Sequence, residues 1–424
     1  MTKQQKSYII PILMMFALFF MISFVTGLQN PMAVIVKNQF EMSNFLSQLG
    51  NFANFIAYLC MGVPAGLMLQ KIGYKKTALT AIVVGFIGVG ISYLSGVFSN
   101  FAIYLCGAFI SGFSMCMLNT VVNPMLNTLG GGGSRGNQLL QIGGCCNSIG
   151  ATIVPVLVGA MIGDASRARI SDATPALMLA MGIFLLAFLV LFFMNIPEPH
   201  MNSVENKKEP HSPYSFRHFN LGILAIFIYV GVEVGIPNIM NLYLTSKVET
   251  GGFAIDAAIA GTVVGTYWFL MLVGRFIGAA LASKFSSKTM LIFTTVCATI
   301  LVFAAMYVPQ IMVNMPVFKS DISFGLEMVP MSVIFLVLCG LCTSVMWGSI
   351  FNLAVEGLGK YTARASGIFM MMVCGGGLLP LFQGFIADKV GFLPSYYVVV
   401  VGILYMLWYA IFGSKNVNKN IPVE

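Results

Sequence analysis

The chain has 424 residues, of which 58% are hydrophobic and 8% charged, and its formal net charge is +8. About a quarter of the residues of a soluble domain are charged, so this composition excludes a soluble globular protein. It predicts a protein that crosses a membrane many times.

Apolar stretches recur along the whole chain. About twelve of them reach the roughly 20 residues that a helix needs to cross the hydrocarbon core of a bilayer. We place them near residues 8–29, 45–69, 76–97, 100–123, 138–163, 174–195, 220–245, 256–282, 288–309, 330–354, 364–387 and 392–413. The predicted fold class is therefore an all-α membrane protein with about twelve transmembrane helices.

Basic residues are distributed unevenly between the predicted loops. Most of the 22 Lys and Arg residues fall on the side of the N-terminus. By the positive-inside rule, both termini are expected in the cytoplasm. The basic surplus then reflects topology and does not indicate nucleic-acid binding. The first span lacks a small-residue cleavage site, so we interpret it as a retained helix and not as a signal peptide.

The longest polar stretch, 196–219, divides the spans into two sets of six. It contains Pro, Ser and mixed charges and is predicted to be a cytoplasmic linker between an N-terminal bundle, 1–195, and a C-terminal bundle, 220–424. Weak internal repeats support two pseudo-symmetric halves. The fifth and eleventh spans share one spacing of glycine and proline, at Gly150, Pro155 and Gly159 and at Gly375, Pro380 and Gly384.

Short motifs in a fixed order run through nearly the whole chain. They include FVTGLQNP at 24–31, IGYKK at 72–76, IFIYVGVEV at 226–234, VGRFIG at 273–278 and GGGLLPLFQGFIAD at 375–388. At these residues the chain resembles the fucose–proton symporter branch of the major facilitator superfamily, especially its glucose/galactose transporters. The resemblance implies two six-helix bundles that rock about a central site. It also implies monosaccharide uptake across a bacterial inner membrane, usually driven by protons.

The chain departs from this family at residues that matter for coupling. Proton-coupled relatives carry an Asp in the first span, where this chain has Asn30. Fucose carriers have a Glu in the fourth span, where this chain has Asn119. A sugar-contacting Gln of the fifth span is Gly144 here. Neither asparagine binds or releases a proton near neutral pH. Coupling must then run through Glu233, use Na⁺, or be absent. The sequence favours neither H⁺ nor Na⁺ as the coupling ion.

Glu233 is the only acidic residue of the sequence that lies deep inside an apolar stretch of helix length. A charge at the centre of a bilayer costs about 2.5–3.5 kcal/mol on insertion scales, and such residues normally have a function. Three interpretations are open. Glu233 could be a protonatable coupling residue, a charged ligand for Na⁺ or sugar hydroxyls, or a structural residue paired with a donor.

Sugar hydroxyls donate and accept hydrogen bonds, as carboxamides do, and the C–H face of a sugar packs on aromatic rings. Polar and aromatic residues of this kind recur within the spans at helical spacing. The predicted substrate-binding set is Gln29, Asn30, Asn51, Asn54, Asn119, Asn123, Asn147, Glu233, Asn238, Asn241, Trp268, Trp347 and Gln383. Alternatively, some of these side chains only connect helices, at about 0.6 kcal/mol each.

Charged residues near the predicted cytoplasmic ends of spans are candidates for gating. The loop after the second span carries three lysines, and Glu356 and Arg364 flank the equivalent loop after the tenth span. Arg275, in the eighth span, is interpreted as a structural or gating residue. The predicted gating set is Lys71, Lys75, Lys76, Arg275, Glu356 and Arg364.

The leading prediction is a monosaccharide importer driven by H⁺ or Na⁺ symport. A uniporter, a drug or metabolite efflux transporter and a transport-inactive sugar sensor remain alternatives. An enzyme is not expected, because it would need clustered Asp, His or Cys at membrane depth. The nine cysteines are odd in number and lie in apolar stretches, so neither disulfides nor a metal or other cofactor are expected. We expect a monomer.

Overall fold

The structure is a computed structural model. It describes residues 8–28, 32, 35–36, 39–40, 49–162, 169–198, 211–255, 257–319, 323–418 and 420–423. The described chain is mostly helical, and its only sheet is a two-stranded hairpin between two C-terminal helices.

Within its described residues the N-terminal half has five α-helices: α1 Ile9–Gly27, α2 Leu49–Phe98, α3 Phe101–Leu129, α4 Gly133–Ile162 and α5 Thr174–Phe193. The 50 residues of α2 would extend about 75 Å if straight, far more than a bilayer core. The helix bends at Gly73, whose φ of 86° and ψ of 176° are not helical. Residues from both arms of α2 meet the same part of α3, so α2 crosses the bundle twice.

The C-terminal half contains more helix breaks. Its elements are α6 Arg217–Thr245, α7 Ala257–Leu281, α8 Ser287–Tyr307, β1 Met312–Phe318, β2 Phe324–Pro330, α9 Met331–Thr343, α10 Met346–Val355, α11 Thr362–Met371, α12 Gly375–Val390, α13 Phe392–Ser395 and α14 Tyr397–Trp408. A π-helical turn, Tyr409–Gly413, follows α14. Short 3-10 turns occur at Ile170–Ala173, Pro213–Ser215, Val248–Thr250, Gly359–Tyr361 and Met372–Cys374.

Ten helical stretches among the described residues are long and apolar enough to cross a membrane. In that count α2 is a single stretch, and α9 with α10 and α11 with α12 each form one stretch. The second arm of α2 and the 30 residues of α4 supply the other two crossings. The described helices therefore agree with about twelve predicted spans. Residues 199–210 of the predicted linker lie outside the described residues, and its last three residues, 217–219, belong to α6.

The β-hairpin was not expected, because the sequence pattern predicts only a loop between the ninth and tenth spans. Strands β1 and β2 pair antiparallel, with Phe318 opposite Phe324. The Phe318 ring stacks on Phe269 of α7 at 4.6 Å, and the Phe318 amide donates to Thr266 Oγ1 at 2.8 Å. Main-chain pairing within the hairpin satisfies the polar backbone of this connection.

The two halves touch closely at one end of the bundle. We name the end where α5 stops and α6 begins the linker end, and the opposite end the hairpin end. Near the linker end, Gly62 and Gly66 of α2 pack directly on Gly367 of α11. A Cβ atom on Gly62 would lie 2.7 Å from the carbonyl oxygen of Gly367, so only glycine permits this approach.

We predict that Gly62→Ala lowers the melting temperature of the purified protein. The new methyl group would meet backbone atoms of α11, which cannot move aside as a side chain can, and such overpacking costs about 1–3 kcal/mol. Gly261→Ala is the control, since a Cβ there meets nothing within 4 Å. Equal melting temperatures for the two variants would contradict the prediction.

Candidate functional site: a polar cavity between the halves

A cavity of about 320 Å³ lies between the two halves. Ligand pockets typically measure about 300–1,000 Å³, so this one can hold a small molecule. Both halves contribute polar or aromatic groups to its wall. These include Thr26, Tyr58, Asn119, Gln141, Asn147 and Ser148 from the N-terminal half, and Glu233, Trp268, Arg275, Ser344 and Trp347 from the C-terminal half.

Glu233 lies midway along α6, and its carboxylate faces this cavity. Its Oε1 atom is 3.5 Å from Nη2 of Arg275, and the two side chains are 14% and 11% exposed. Opposite charges are therefore paired where solvent is scarce, which reduces the cost of holding each one inside the bundle. Arg275 is the donor that the structural interpretation of Glu233 required.

A proline makes the backbone of Glu233 available to a neighbouring helix. Pro237 has no N–H group, so the carbonyl of Glu233, four residues earlier, loses its partner within α6. The hydroxyl of Tyr267 on α7 donates to this carbonyl at 3.1 Å and also lies 3.1 Å from Thr343 Oγ1. The segment around Glu233 is thereby held to α7 and α9 without interrupting the helix.

Arg275 also reaches the N-terminal half. Its Nη1 atom donates to the carbonyl of Gly144 at 2.9 Å and to Ser148 Oγ at 2.7 Å. The glycine leaves room for the arginine, because a Cβ at position 144 would lie 3.3 Å from Arg275 Cδ. Arg275 was predicted to be structural or gating, and the structure places it in the cavity wall as a bridge between the halves.

Asn119 and Asn123 share a face of α3, as their spacing predicts. Asn119 Nδ2 donates to the Tyr58 hydroxyl at 3.0 Å, and both residues line the cavity. Asn123 is fully buried, and its Oδ1 accepts from Trp347 Nε1 of the other half at 3.1 Å. Asn123 thus orients a cavity tryptophan.

The proline that follows Asn123, Pro124, leaves one carbonyl of α3 without its usual partner. The proline lies inside the continuous helix α3 and cannot donate to Thr120, four residues earlier. Ser366 of α11 donates its hydroxyl to Thr120 O at 3.2 Å. Like Pro237 in α6, Pro124 therefore frees a carbonyl that a neighbouring helix uses.

The predicted binding residues fall into three groups. Those that line the cavity are Asn119, Asn147, Glu233, Trp268 and Trp347. Those that lie elsewhere are Asn54 and Gln383, which are buried between helices, Asn123 behind Trp347, Asn241, and the exposed Asn238. Gln29 and Asn30 lie outside the described residues, as does the side chain of Asn51.

Sequence reasoning missed two polar residues of α4 that line the cavity, Gln141 and Ser148. They flank Gly144 at intervals of three and four residues, so a stripe on one helix face was present in the sequence. Serine and glycine carry no distinctive signal inside a span, because both also serve as ordinary helix-packing residues.

Of the three lysines in the loop after the first arm of α2, Lys75 contacts its own half of the protein. Lys75 Nζ donates to the carbonyls of Phe192 and Met194 at 2.8 and 2.6 Å, at the C-terminal end of α5. Glu198 accepts from the backbone amides of Tyr74 and Lys75 at 2.6 and 3.0 Å. Lys71 and Lys76 are exposed. A gating role for these lysines remains a prediction.

The two charged residues after the tenth crossing are also exposed. The carbonyl of Glu356 pairs with His218 Nε2 at 2.9 Å, and the carbonyl of Arg364 lies against Gly66. Both contacts use the backbone. Within the described residues the carboxylate of Glu356 and the guanidinium of Arg364 form no ion pair, so their predicted gating role also remains a prediction.

Two similar helical bundles around a central polar cavity define a membrane transporter with a two-domain architecture. Residues 15–379 match the model of the Major Facilitator Superfamily, and the chain belongs to this family. The predicted fold class is thereby confirmed, as is the prediction that the protein is a transporter and not an enzyme.

Several named proteins resemble the chain over nearly its whole length. It is 29% identical to a glucose/galactose transporter of Brucella abortus, covering 98% of this chain and 97% of the relative. It is 25% identical to the L-fucose-proton symporter of Escherichia coli K12, covering 92% and 90%. The crystal structure of the transporter FucP in the outward conformation superposes with a TM-score of 0.81 at 22% identity, covering 97% and 100%. The predicted resemblance is thereby confirmed.

We predict that Arg275→Met destabilises the protein by about 1–3 kcal/mol, because it leaves the Glu233 carboxylate without its ion-pair partner in a partly enclosed site. The double variant Glu233→Gln/Arg275→Met should recover part of this loss, because it removes the unpaired carboxylate but does not restore the bonds to Gly144 and Ser148. Thermal unfolding of the single and double variants measures the coupling.

The matched control pair is Lys319 and Glu327 of the hairpin, which are 3.4 Å apart and 38% and 21% exposed. Removing one partner there should cost at most about 1 kcal/mol. Additive effects of the two substitutions at Glu233 and Arg275 would contradict the prediction.

Proposed function

We propose that the protein is a secondary active transporter that imports a monosaccharide, a hexose or deoxyhexose, by cation symport. The observation that carries this proposal is the cavity between the halves, which combines hydrogen-bonding side chains with two tryptophans. The names of the similar glucose/galactose transporter and L-fucose-proton symporter support a sugar as substrate.

The chemistry of the wall suits a sugar. Asn119 and Asn147 present carboxamides, Tyr58 a hydroxyl, and Trp268 and Trp347 flat apolar faces. A sugar ring has hydroxyls around its edge and C–H groups on its faces, so it needs both kinds of partner. An apolar drug molecule would leave several of these polar groups without a hydrogen-bond partner, which disfavours an efflux transporter of apolar compounds.

The location of the contacts between the halves supports transport by alternating access. Gly62 packs on Gly367, and Asn352 Nδ2 donates to Gly133 O at 3.1 Å, both toward the linker end. These contacts must separate if the cavity is to open at that end. The superposition on a structure in the outward conformation supports an arrangement in which the linker end is closed.

We place the linker end, with both termini, in the cytoplasm of a bacterial cell, because the basic residues concentrate there. The bilayer is then the inner membrane, and the transporter works as a monomer.

Glu233 is the proposed coupling or substrate-linked residue. Asn119 has its amide bonded to Tyr58 and has no proton to exchange, so the coupling function falls to the carboxylate. The carboxylate can take up H⁺, or it can bind Na⁺, since a hard cation prefers oxygen ligands such as carboxylates and carboxamides. No further cofactor is proposed.

Uptake by proteoliposomes tests the cation requirement. With radiolabelled D-glucose, D-galactose or L-fucose, we expect accumulation above the external concentration under either a proton gradient or a Na⁺ gradient, imposed separately. Equal uptake of a transported sugar with each gradient collapsed would indicate a uniporter and refute symport. Competition among glucose, galactose, fucose and fructose then defines the sugar.

Glu233→Gln should abolish gradient-driven accumulation while exchange of sugar between the two sides continues. The neutral side chain keeps the shape but can no longer carry a proton or balance a Na⁺ ion. Glu327→Gln on the hairpin is the matched control and should accumulate sugar like the unmodified protein. Normal accumulation by the Glu233 variant would refute a coupling role.

A further inference from the structure

One face of α4 forms hydrogen bonds with the C-terminal half at several positions along the helix. Residues 137, 141, 144 and 148 recur at intervals of four, three and four, and therefore share a helix face. We name this face the α4 seam. Its bonds across the halves are Asn137 Nδ2 to Met290 Sδ at 3.5 Å, Gln141 Nε2 to Val345 O at 3.0 Å, and Arg275 Nη1 to Gly144 O and Ser148 Oγ at 2.9 and 2.7 Å.

The seam runs from the linker end to the cavity. Asn137 is fully buried near the start of α4, whereas Gln141, Gly144 and Ser148 line the cavity. At its outer end the seam is extended by Asn352 Nδ2, which donates to Gly133 O. The contacts nearer the linker end use the neutral carboxamides of Asn137 and Gln141, and the contacts farther from it use the charge of Arg275.

Arg275 makes the strongest contact of this series. Hydrogen bonds with an ionised donor are roughly twice as strong as neutral ones, and one guanidinium nitrogen here serves two acceptors on α4. The guanidinium cannot lose its proton, so it must keep acceptors in every state of the protein. Its contacts with Gly144 and Ser148 can therefore open only if other oxygen atoms replace them.

We propose that Arg275 links occupancy of the cavity to opening of the linker end. A sugar bound in the cavity presents hydroxyl oxygens that accept from Nη1 in place of Gly144 O and Ser148 Oγ. This exchange releases the innermost contact of the α4 seam, after which the weaker carboxamide contacts separate. Glu233, in the same half as Arg275, keeps the guanidinium paired while α4 moves away. The sugar step rests on the proposed function.

Double electron–electron resonance can measure the linker end directly. Spin labels at Arg135→Cys and Lys284→Cys report the distance between the halves, since both positions are exposed there. Cys60 and Cys106, the exposed cysteines, are first replaced by serine. In sugar-free buffer, Glu233→Gln/Arg275→Met should increase the ratio of open to closed protein about tenfold over Glu233→Gln alone.

Comparing these two variants isolates the contacts of Arg275 with α4, because neither contains a complete ion pair. Adding Gln141→Ala to both raises the open population and keeps a small shift measurable. Lys288→Met is the matched control for loss of a cation. Lys288 Nζ donates to Ile411 O at 3.0 Å within the C-terminal half, so this variant should not change the distance.

Unchanged distances in the Arg275 variants, with and without Gln141→Ala, would overturn the inference whatever the protein transports. Saturating D-glucose or D-galactose should open the linker end of the unmodified protein and have no further effect once Arg275 is replaced. If Arg275→Met opens the linker end but neither sugar opens the unmodified protein, the contact of Arg275 with α4 is supported, and it is the proposed substrate that fails.

Discussion

The charge pair of Glu233 and Arg275 is the constraint on which the centre of this protein depends. Each charge would be costly within the bundle without the other, because low solvent exposure raises the free energy of an unpaired charge. Arg275 needs further acceptors and finds them on α4, at Gly144 and Ser148. The same few atoms thus neutralise a carboxylate, line a cavity and join two halves of the chain.

The carbonyl groups that prolines leave unpaired within helices also find hydrogen-bond partners inside the bundle. Pro124 and Pro237 each free a carbonyl, and hydroxyls of Ser366 and Tyr267 bond to the freed oxygens. Helix breaks therefore become contacts between helices. Because Ser366 belongs to the C-terminal half and Thr120 to the N-terminal half, one of these contacts also connects the halves.

Sequence reasoning was strongest where the signal is local. Span lengths depend only on neighbouring residues, and the described helices agree with them. It was weaker for the direction of side chains. Asn119 and Asn123 were treated as equivalent, but Asn119 lines the cavity and Asn123 supports Trp347 from behind. Residue spacing shows which side chains share a helix face, but it does not show what each of them contacts.

The sequence by itself determined that this is a polytopic membrane protein of two similar halves with one costly carboxylate, because composition and hydrophobic period are properties of the local chain. Only the tertiary structure decided which groups meet that carboxylate. Arg275 is 42 residues from Glu233 and 131 from Gly144 along the chain. Their contact exists because α4, α6 and α7 pack together, and the packing of distant helices leaves no periodic trace in the sequence.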